Sequence, residues 1–289
     1  EAFTLIAAKL NAVRAEGLLD ESGYPRVAAS FGGGGTPQSY MGTFPAFLAA
    51  WGPVDMGFGS GQGVKCYHSE HLYGEFWHRA FIVAPDTPRT DYLISCGANV
   101  EASGGVVGVW RHANARVRGM KRVQVEPHLS ITGACSAEWV PIKPKTDAAF
   151  LFALMHVLVH EARRERLDLP FLVKRTASPY LVGPNGYYLR DRATKKPLVW
   201  DGARGEAVPF DTPGTDEALE GHFEADAIEI GPDDAVLAEG RLPGTTAFTL
   251  TVDHLKPYSP EWAENVCEVP AARIRRIASE YLDHARIGE

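Results

Sequence analysis

The sequence predicts an α/β protein: a parallel sheet with a β-rich excursion, plus part of a second α/β unit. Three observations lead there. Between Thr90 and Ala162, strand-like runs alternate with helical ones at the pitch of βαβ units. From about 180 to 250 that rhythm gives way to turn residues and short strand-like runs. At 289 residues the chain exceeds one ordinary domain, which leaves room for a second unit.

The elements follow in order. AFTLIAAKLNAVRAEG spaces its apolar residues as a helix does and stops at Gly17. YPRVAASFGGGG reads as a short strand running into Gly32–Gly35, and TFPAFLAAWG as a second helix. A helix is expected from about Ser69 to Phe81. TDYLISCGAN is a strand ending in a turn, GVVGVWRHANARVRG a helix of about four turns, and MKRVQVEP a strand ending on an acid. A short helical turn near LSITGACSA leads to EWVPIKPKTD and then to the long helix DAAFLFALMHVLVHEARRE. Right-handed crossovers place the C-terminal ends of such strands on one edge, where ligands bind.

After Pro179, pieces such as YYLRD and PLVWD are strands, and Asn185–Gly186 and Asp201–Gly202 suit tight turns. YSPEWAENVCEVPAARIRRIASEYLDHA closes the chain with two helices, the first starting at Ser259–Pro260. The domain boundaries expected are 1–65 for the first part of one α/β domain and 66–255 for an inserted one. The β-rich excursion lies at about 180–250, and 256–289 forms a helical return to the first domain.

Composition narrows the function classes. A net charge of -7 without any basic stripe argues against a nucleic-acid partner. No run approaches the roughly 18 to 20 apolar residues that span a bilayer. Four scattered cysteines argue against a disulfide framework, and there is no CxxC for zinc or an iron–sulfur cluster. The chain opens at Glu1 within an apparent helix, as expected for a piece of something longer.

Several motifs could carry chemistry. GVKCYHSEHLYGEFWH gathers Cys66, His68, His71 and His78, open to reading as a metal clamp, a nucleophile with bases, or a polar helix start. ISCGANVEAS joins strand to helix. Its Gly97 lets a ligand approach the backbone, and Asn99 can donate and accept hydrogen bonds. The helix start beyond would offer free N–H groups to phosphate. VQVEP ends a strand on Glu126, an acid placed to accept from ribose hydroxyls, although the first turn is not GxGxxG. Thr146 and Asp147 open the long helix, either as structural caps or with Asp147 reading a purine edge. His156 and His160 share a helix face but lack the glutamate of HExxH, so they read as ordinary helix histidines.

In order, DYLISCGANVEAS, KRVQVEPHLSITGACSAEWVPIKPKTDAAFLFALMHVLVHE, LDLPFLVKRTASPYLV and YSPEWAENVCEVPAARIRRIASEY resemble the catalytic subunit of the molybdopterin oxidoreductases, the dimethyl sulfoxide reductase family. The resemblance implies a parallel-sheet guanine-dinucleotide-binding domain. It implies a molybdenum or tungsten ion held by two molybdopterin guanine dinucleotides, with a [4Fe-4S] cluster in a region upstream of Glu1. Cys66 matches the metal ligand, with His68 and His71 as proton donors or acceptors beside it. Gly97, Asn99 and Ala102 match the turn near the pyrophosphate, Glu126 the ribose acid with Ser130 nearby, and Thr146 and Asp147 the family's PGTD, whose aspartate recognises guanine. Two departures stand out: Lys145 replaces the PGTD glycine, and Glu126-Pro127-His128 replaces the usual DPR.

The resemblance further implies two-electron redox chemistry on a small substrate, an acyl-CoA thioester or a sulfur compound in the branch of phenylacetyl-CoA acceptor oxidoreductases and thiosulfate–polysulfide reductases. Its partners would be an iron–sulfur subunit for electron transfer and a membrane-anchor subunit, holding the whole protein at one membrane face. The segment alone is expected to be inactive and free of cofactor. Two other readings compete: a stand-alone nucleotide-binding dehydrogenase-like domain, favoured by the βαβ texture, and a non-enzymatic interaction module.

Overall fold

Lys121–Glu126 (KRVQVE) is buried along almost its whole length, as only the central strand of a parallel sheet is. In the computed structural model, which describes residues 1–31, 43–58, 85–285 and 287, this strand lies between two others. The described chain separates into two compact units, Glu1–Pro85 and Asp86–Glu289.

In the first unit, α1 (Ala2–Glu16) ends where Gly17 takes a φ of 110°. Strand β1 (Ala28–Phe31), helix α2 (Thr43–Trp51) and strand β2 (Asp55–Phe58) form a βαβ unit, with β1 and β2 parallel. The β2 run, DMGF, is too short to show a period in the sequence. Arg14 donates to the Trp51 carbonyl at 3.1 Å and lies over its indole, 5.1 Å from the centroid, tying α1 to the end of α2. Gly32–Gly35 and the helix expected over Ser69–Phe81 lie outside the described residues.

The second unit holds the parallel sheet that the sequence predicts. Strand β3 (Tyr92–Cys96) pairs with β4 (Lys121–Glu126), and β4 with β5 (Glu138–Pro141), in the order β3-β4-β5. Two helices link β3 to β4: α3, a single turn (Val100–Ser103), and α4 (Gly105–Arg118). Helix α4 stops at Gly119, whose φ of 112° supplies a left-handed cap. The one-turn α5 (Ile131–Ala134) links β4 to β5, and α6 (Asp147–His156) follows.

The long helix expected over 147–165 is α-helical only to His156, after which Val157–Glu161 forms a π-turn. His156 Nδ1–H and His160 Nε2–H each donate at 2.8 Å, to the Leu255 and Val252 carbonyls. Both rings are thereby spent on fastening a neighbouring helix end, in keeping with their reading as structural histidines.

The excursion is β-rich as predicted. Beyond α7 (Leu169–Arg175), strands β6 (Leu181–Val182), β7 (Leu189–Arg190), β10 (His222–Ile230) and β11 (Val236–Thr246) form an antiparallel sheet in the order β6-β11-β10-β7. A separate hairpin pairs β8 (Leu198–Asp201) with β9 (Glu206–Pro209). Leu181, Leu189, Leu198, Ala225 and Ala227 fill its small core, roofed by Trp200 stacked on Phe223. At the Asn185–Gly186 turn, the buried Glu229 carboxylate accepts from the Asn185 and Tyr187 N–H groups and the Asn185 amide.

Helix α8 (Ala247–Leu255) precedes α9 (Pro260–Cys267) and α10 (Ala271–Asp283). Ser259 caps α9 by accepting from the Trp262 N–H, as its Ser-Pro start predicts. Residues 256–285, expected from the sequence as a helical return to the first domain, pack as follows. Cys267, Ile274 and Ile277 share one core with Val123, Val125, Val140 and Phe150. The apolar stripe of α10 therefore packs in the core of the parallel sheet, within the unit Asp86–Glu289.

Candidate functional site

Because β3, β4 and β5 are parallel, the loops after them (97–103, 127–134 and 142–147) all leave one edge of the sheet. Alternation along β4 sorts its side chains to two faces. Val123 and Val125 enter the apolar core, while Arg122, Gln124 and Glu126 form a polar stripe only 0%, 0% and 3% exposed.

That stripe holds two of the loops from beneath. Arg122 Nη2 donates to Glu101 Oε1 at 2.7 Å and to the Thr132 carbonyl at 3.0 Å. Its Nε donates to Ser136 Oγ at 2.8 Å and its Nη1 to His112 Nδ1 at 3.0 Å. A guanidinium only donates, so His112 Nδ1 carries no proton; burial, then the Arg122 charge, lower its pKa. Gln124 Nε2 bridges the Ala98 carbonyl and Glu126 Oε2. Gln124 Oε1 is buried without a partner among the described residues.

The first loop starts at Gly97, whose φ of 66° disfavours any side chain, with open space where a Cβ would stand. Asn99 Oδ1 accepts from the Thr132 N–H at 3.3 Å and lies 3.0 Å from Thr132 Oγ1. The single Thr132 hydroxyl proton goes to the nearer, charged acceptor, Glu101 Oε2 at 2.6 Å. Three N–H groups of the one-turn α3 have partners inside the protein. The Glu101 N–H donates to Thr132 Oγ1, and those of Ala102 and Ser103 to the Asn99 carbonyl. The cause is local: α3 is one turn long, and Gly105 breaks it from α4 with a φ of 66°. Ala102 is exposed on that turn.

In the second loop the Glu126 carboxylate accepts from the Ser130 N–H at 2.8 Å, while Ser130 Oγ caps α5 by accepting from Gly133. A Cβ at Gly133 would come within 2.5 Å of Glu126 Oε1, so this close approach requires glycine. Burial by itself would raise the Glu126 carboxyl; hydrogen bonds from Ser130 and Gln124 outweigh it and hold the group below the usual carboxylate range. Glu126 thus supports the loop from inside.

In the third loop Lys145 takes a φ of 68°. The position retains the left-handed backbone that suits the family's glycine, now with a lysine bearing the strain. Lys145→Gly is expected to raise stability by about 0.5–1 kcal/mol, the relieved strain of about 1–2 kcal/mol less glycine's entropy; an unchanged urea midpoint would contradict this. Thr146 sits at the N-cap of α6, but its hydroxyl donates backward to the Lys143 carbonyl at 2.7 Å and caps nothing. Asp147, half-buried in the first turn, has no hydrogen bond or ion pair among the described residues. It lies close enough to Cys96, at the end of β3, that its charge, after desolvation, helps push that thiol up to about 11.

The expected site residues Gly97, Asn99, Ala102, Glu126, Ser130, Thr146 and Asp147 thus all fall on the loops of one sheet edge. Cys66, His68 and His71 lie outside the described residues. The sequence reading missed Glu101, Arg122, Gln124, His112 and Thr132. The signal was there: KRVQVE alternates polar and apolar, whereas a strand buried on both faces is normally apolar throughout.

Comparison with known proteins adds a set of relatives. No family model matches the chain. A sulfite dehydrogenase subunit of Allochromatium vinosum is 27% identical over 97% of this chain and 28% of its own length. Dimethyl sulfoxide reductase DmsA of Haemophilus influenzae is 27% identical over 73% of this chain and 20% of its own. The molybdopterin-containing thiosulfate reductase protein PhsA of Salmonella typhimurium is 29% identical over 46% of this chain and 20% of its own. Among solved structures, acetylene hydratase from Pelobacter acetylenicus superposes with a TM-score of 0.48 at 15% identity, over 99% of this chain and 28% of that one, a likeness too loose to build on. The chain therefore spans about a quarter of the length of the curated relatives it matches. Its order of motifs and these relatives agree: the chain is similar to a segment of the catalytic subunits of molybdopterin oxidoreductases of the dimethyl sulfoxide reductase family.

Proposed function

We propose that this chain holds one guanine dinucleotide arm of a bis-molybdopterin guanine dinucleotide cofactor in a molybdenum or tungsten oxidoreductase. The observation that carries this reading is the convergence of three loops on one edge of a parallel sheet, two of them pinned from below by a buried polar stripe. The residues fit such a ligand. Gly97 leaves open space at the first loop, Asp147 offers a carboxylate with vacant acceptor sites, and Gln124 Oε1 lacks a partner among the described residues.

In this reading Gly97, Asn99 and Ala102 border the pyrophosphate, and Ser130 with its loop borders the ribose, Glu126 acting mainly as the strut of that loop. Asp147 accepts two N–H groups of the guanine edge, with Thr146 fixing the turn that aims it. Cys66 supplies the thiolate to the metal, a soft ligand suited to molybdenum, and His68 and His71 hold or move protons beside it. When bound, the metal supplies two-electron redox chemistry.

The relatives' names favour a sulfur compound or oxyanion as the whole protein's substrate over an acyl-CoA thioester. An iron–sulfur subunit would take the electrons, a membrane-anchor subunit would complete the complex, and a [4Fe-4S] cluster would lie in the region before this segment. The test is metal, pterin and guanine-nucleotide analysis of the full-length protein. Molybdenum or tungsten with two guanine nucleotides per metal is expected, and their absence would refute the reading. Cys66→Ala should fold and keep the nucleotide while losing most turnover with sulfur-compound or oxyanion substrates; full activity would remove Cys66 from the metal.

A further inference from the structure

We propose that Arg122 is the positioning residue of the dinucleotide site: a buried guanidinium that bolts the 97–103 loop to the 127–134 loop and so sets the spacing of the groups that grip the ligand. The inference rests on the dinucleotide reading and adds to it a residue that touches no ligand.

The geometry is unusually complete for one side chain. Arg122 is 0% exposed and spends its donors on four groups from three elements: Glu101 in α3, Thr132 and Ser136 in and just after α5, and His112 in α4. Glu101 closes the ring from the other side, its second oxygen accepting from the Thr132 hydroxyl. Thr132 in turn holds Asn99, which the dinucleotide reading sets beside the pyrophosphate, through its N–H. A continuous path therefore runs from Arg122 through Glu101 and Thr132 to Asn99.

The apolar core does not need this charge. Val123 and Val125, on the opposite face of the same strand, already anchor β4. Burying a guanidinium and a carboxylate costs desolvation energy that an apolar pair of similar volume would not incur. The pair's gain is geometric, since a planar fork fixes angles as well as distances. One-turn α3 and α5, too short to hold their own conformation, are the elements that need such a fixture.

The experiment uses the full-length protein with Arg122→Lys, which keeps a cation opposite Glu101 but loses the fork. Glu101→Gln serves as a second variant should the first fail to fold. Leu181→Ala, in the small core of the excursion, controls for loss of stability. Two readouts apply: guanine nucleotide released per folded protein, and amide hydrogen exchange over 97–103 and 130–134. Arg122→Lys and Glu101→Gln should each retain about tenfold less nucleotide and exchange faster in both loops together, while Leu181→Ala stays loaded. Wild-type nucleotide content in both folded variants would overturn the proposal and leave the dinucleotide reading intact. So would equal loss in Leu181→Ala. A wild type free of guanine nucleotide would overturn the reading itself, and the proposal with it.

Discussion

Arg122→Met should destabilise the protein by about 3–5 kcal/mol, the cost of removing one partner from a buried ion pair. Methionine fills much of the same volume, so the loss reflects charge rather than a cavity. It strands the Glu101 carboxylate, whose side chain is 8% exposed, along with the Thr132 carbonyl and His112 Nδ1. The double variant Arg122→Met/Glu101→Gln removes the stranded charge and should recover about 1–3 kcal/mol relative to additivity. Urea unfolding of the four proteins at neutral pH measures the cycle, and strict additivity would show that the pair is not coupled.

Acid should act on the same pair. Burial alone would raise the Glu101 carboxyl, but hydrogen bonds from Arg122 and Thr132 outweigh it and hold the group below its usual range. The folded state therefore binds fewer protons than the unfolded one. The pair's contribution is complete above the unfolded value, near 4.3, and is lost as pH falls below it. In Arg122→Met this acid-dependent component should shrink.

Phe150→Ala should cost about 3–5 kcal/mol, the range for a buried aromatic truncated to alanine. Phe150 is 0% exposed in the core that the parallel sheet, α6 and the C-terminal helices share. Its neighbour Leu151 is 42% exposed, and Leu151→Ala should stay within about 0.5 kcal/mol. Equal effects of the two would place the core on the wrong face of α6. Because α9 and α10 lie in that core, the Phe150→Ala loss should appear as one transition for the sheet and both helices.

Most of the fold was legible because its signals are local. The βαβ rhythm, the glycine stop after α4, the Ser259 cap and the turn-rich excursion each depend on residues close in sequence. Strand β2 was not legible, since four residues show no period and only pairing with β1 defines it. Nor was the π-turn at Val157–Glu161, which occurs where His156 and His160 reach carbonyls more than ninety residues away. The helical pattern of 256–289 was read correctly, but an apolar stripe does not name the surface that covers it, and here that surface is the parallel sheet.

For the site, the sequence by itself determined which loops carry chemistry: those opened by Gly97, Glu126 and Thr146, each at a strand end or helix start where ligands bind. It also determined that Lys145 departs from the family's glycine. Only the tertiary structure decided what each residue does there. Glu126 braces its own loop, the Thr146 hydroxyl turns backward, and the short α3 keeps its N–H groups for Asn99 and Thr132. Above all, the structure decided that Arg122, ten residues from His112 and twenty-one from Glu101 in sequence, fastens them together. The physical reason is that a buried charge must find partners wherever the fold supplies them, and no spacing rule along one chain can say where that will be.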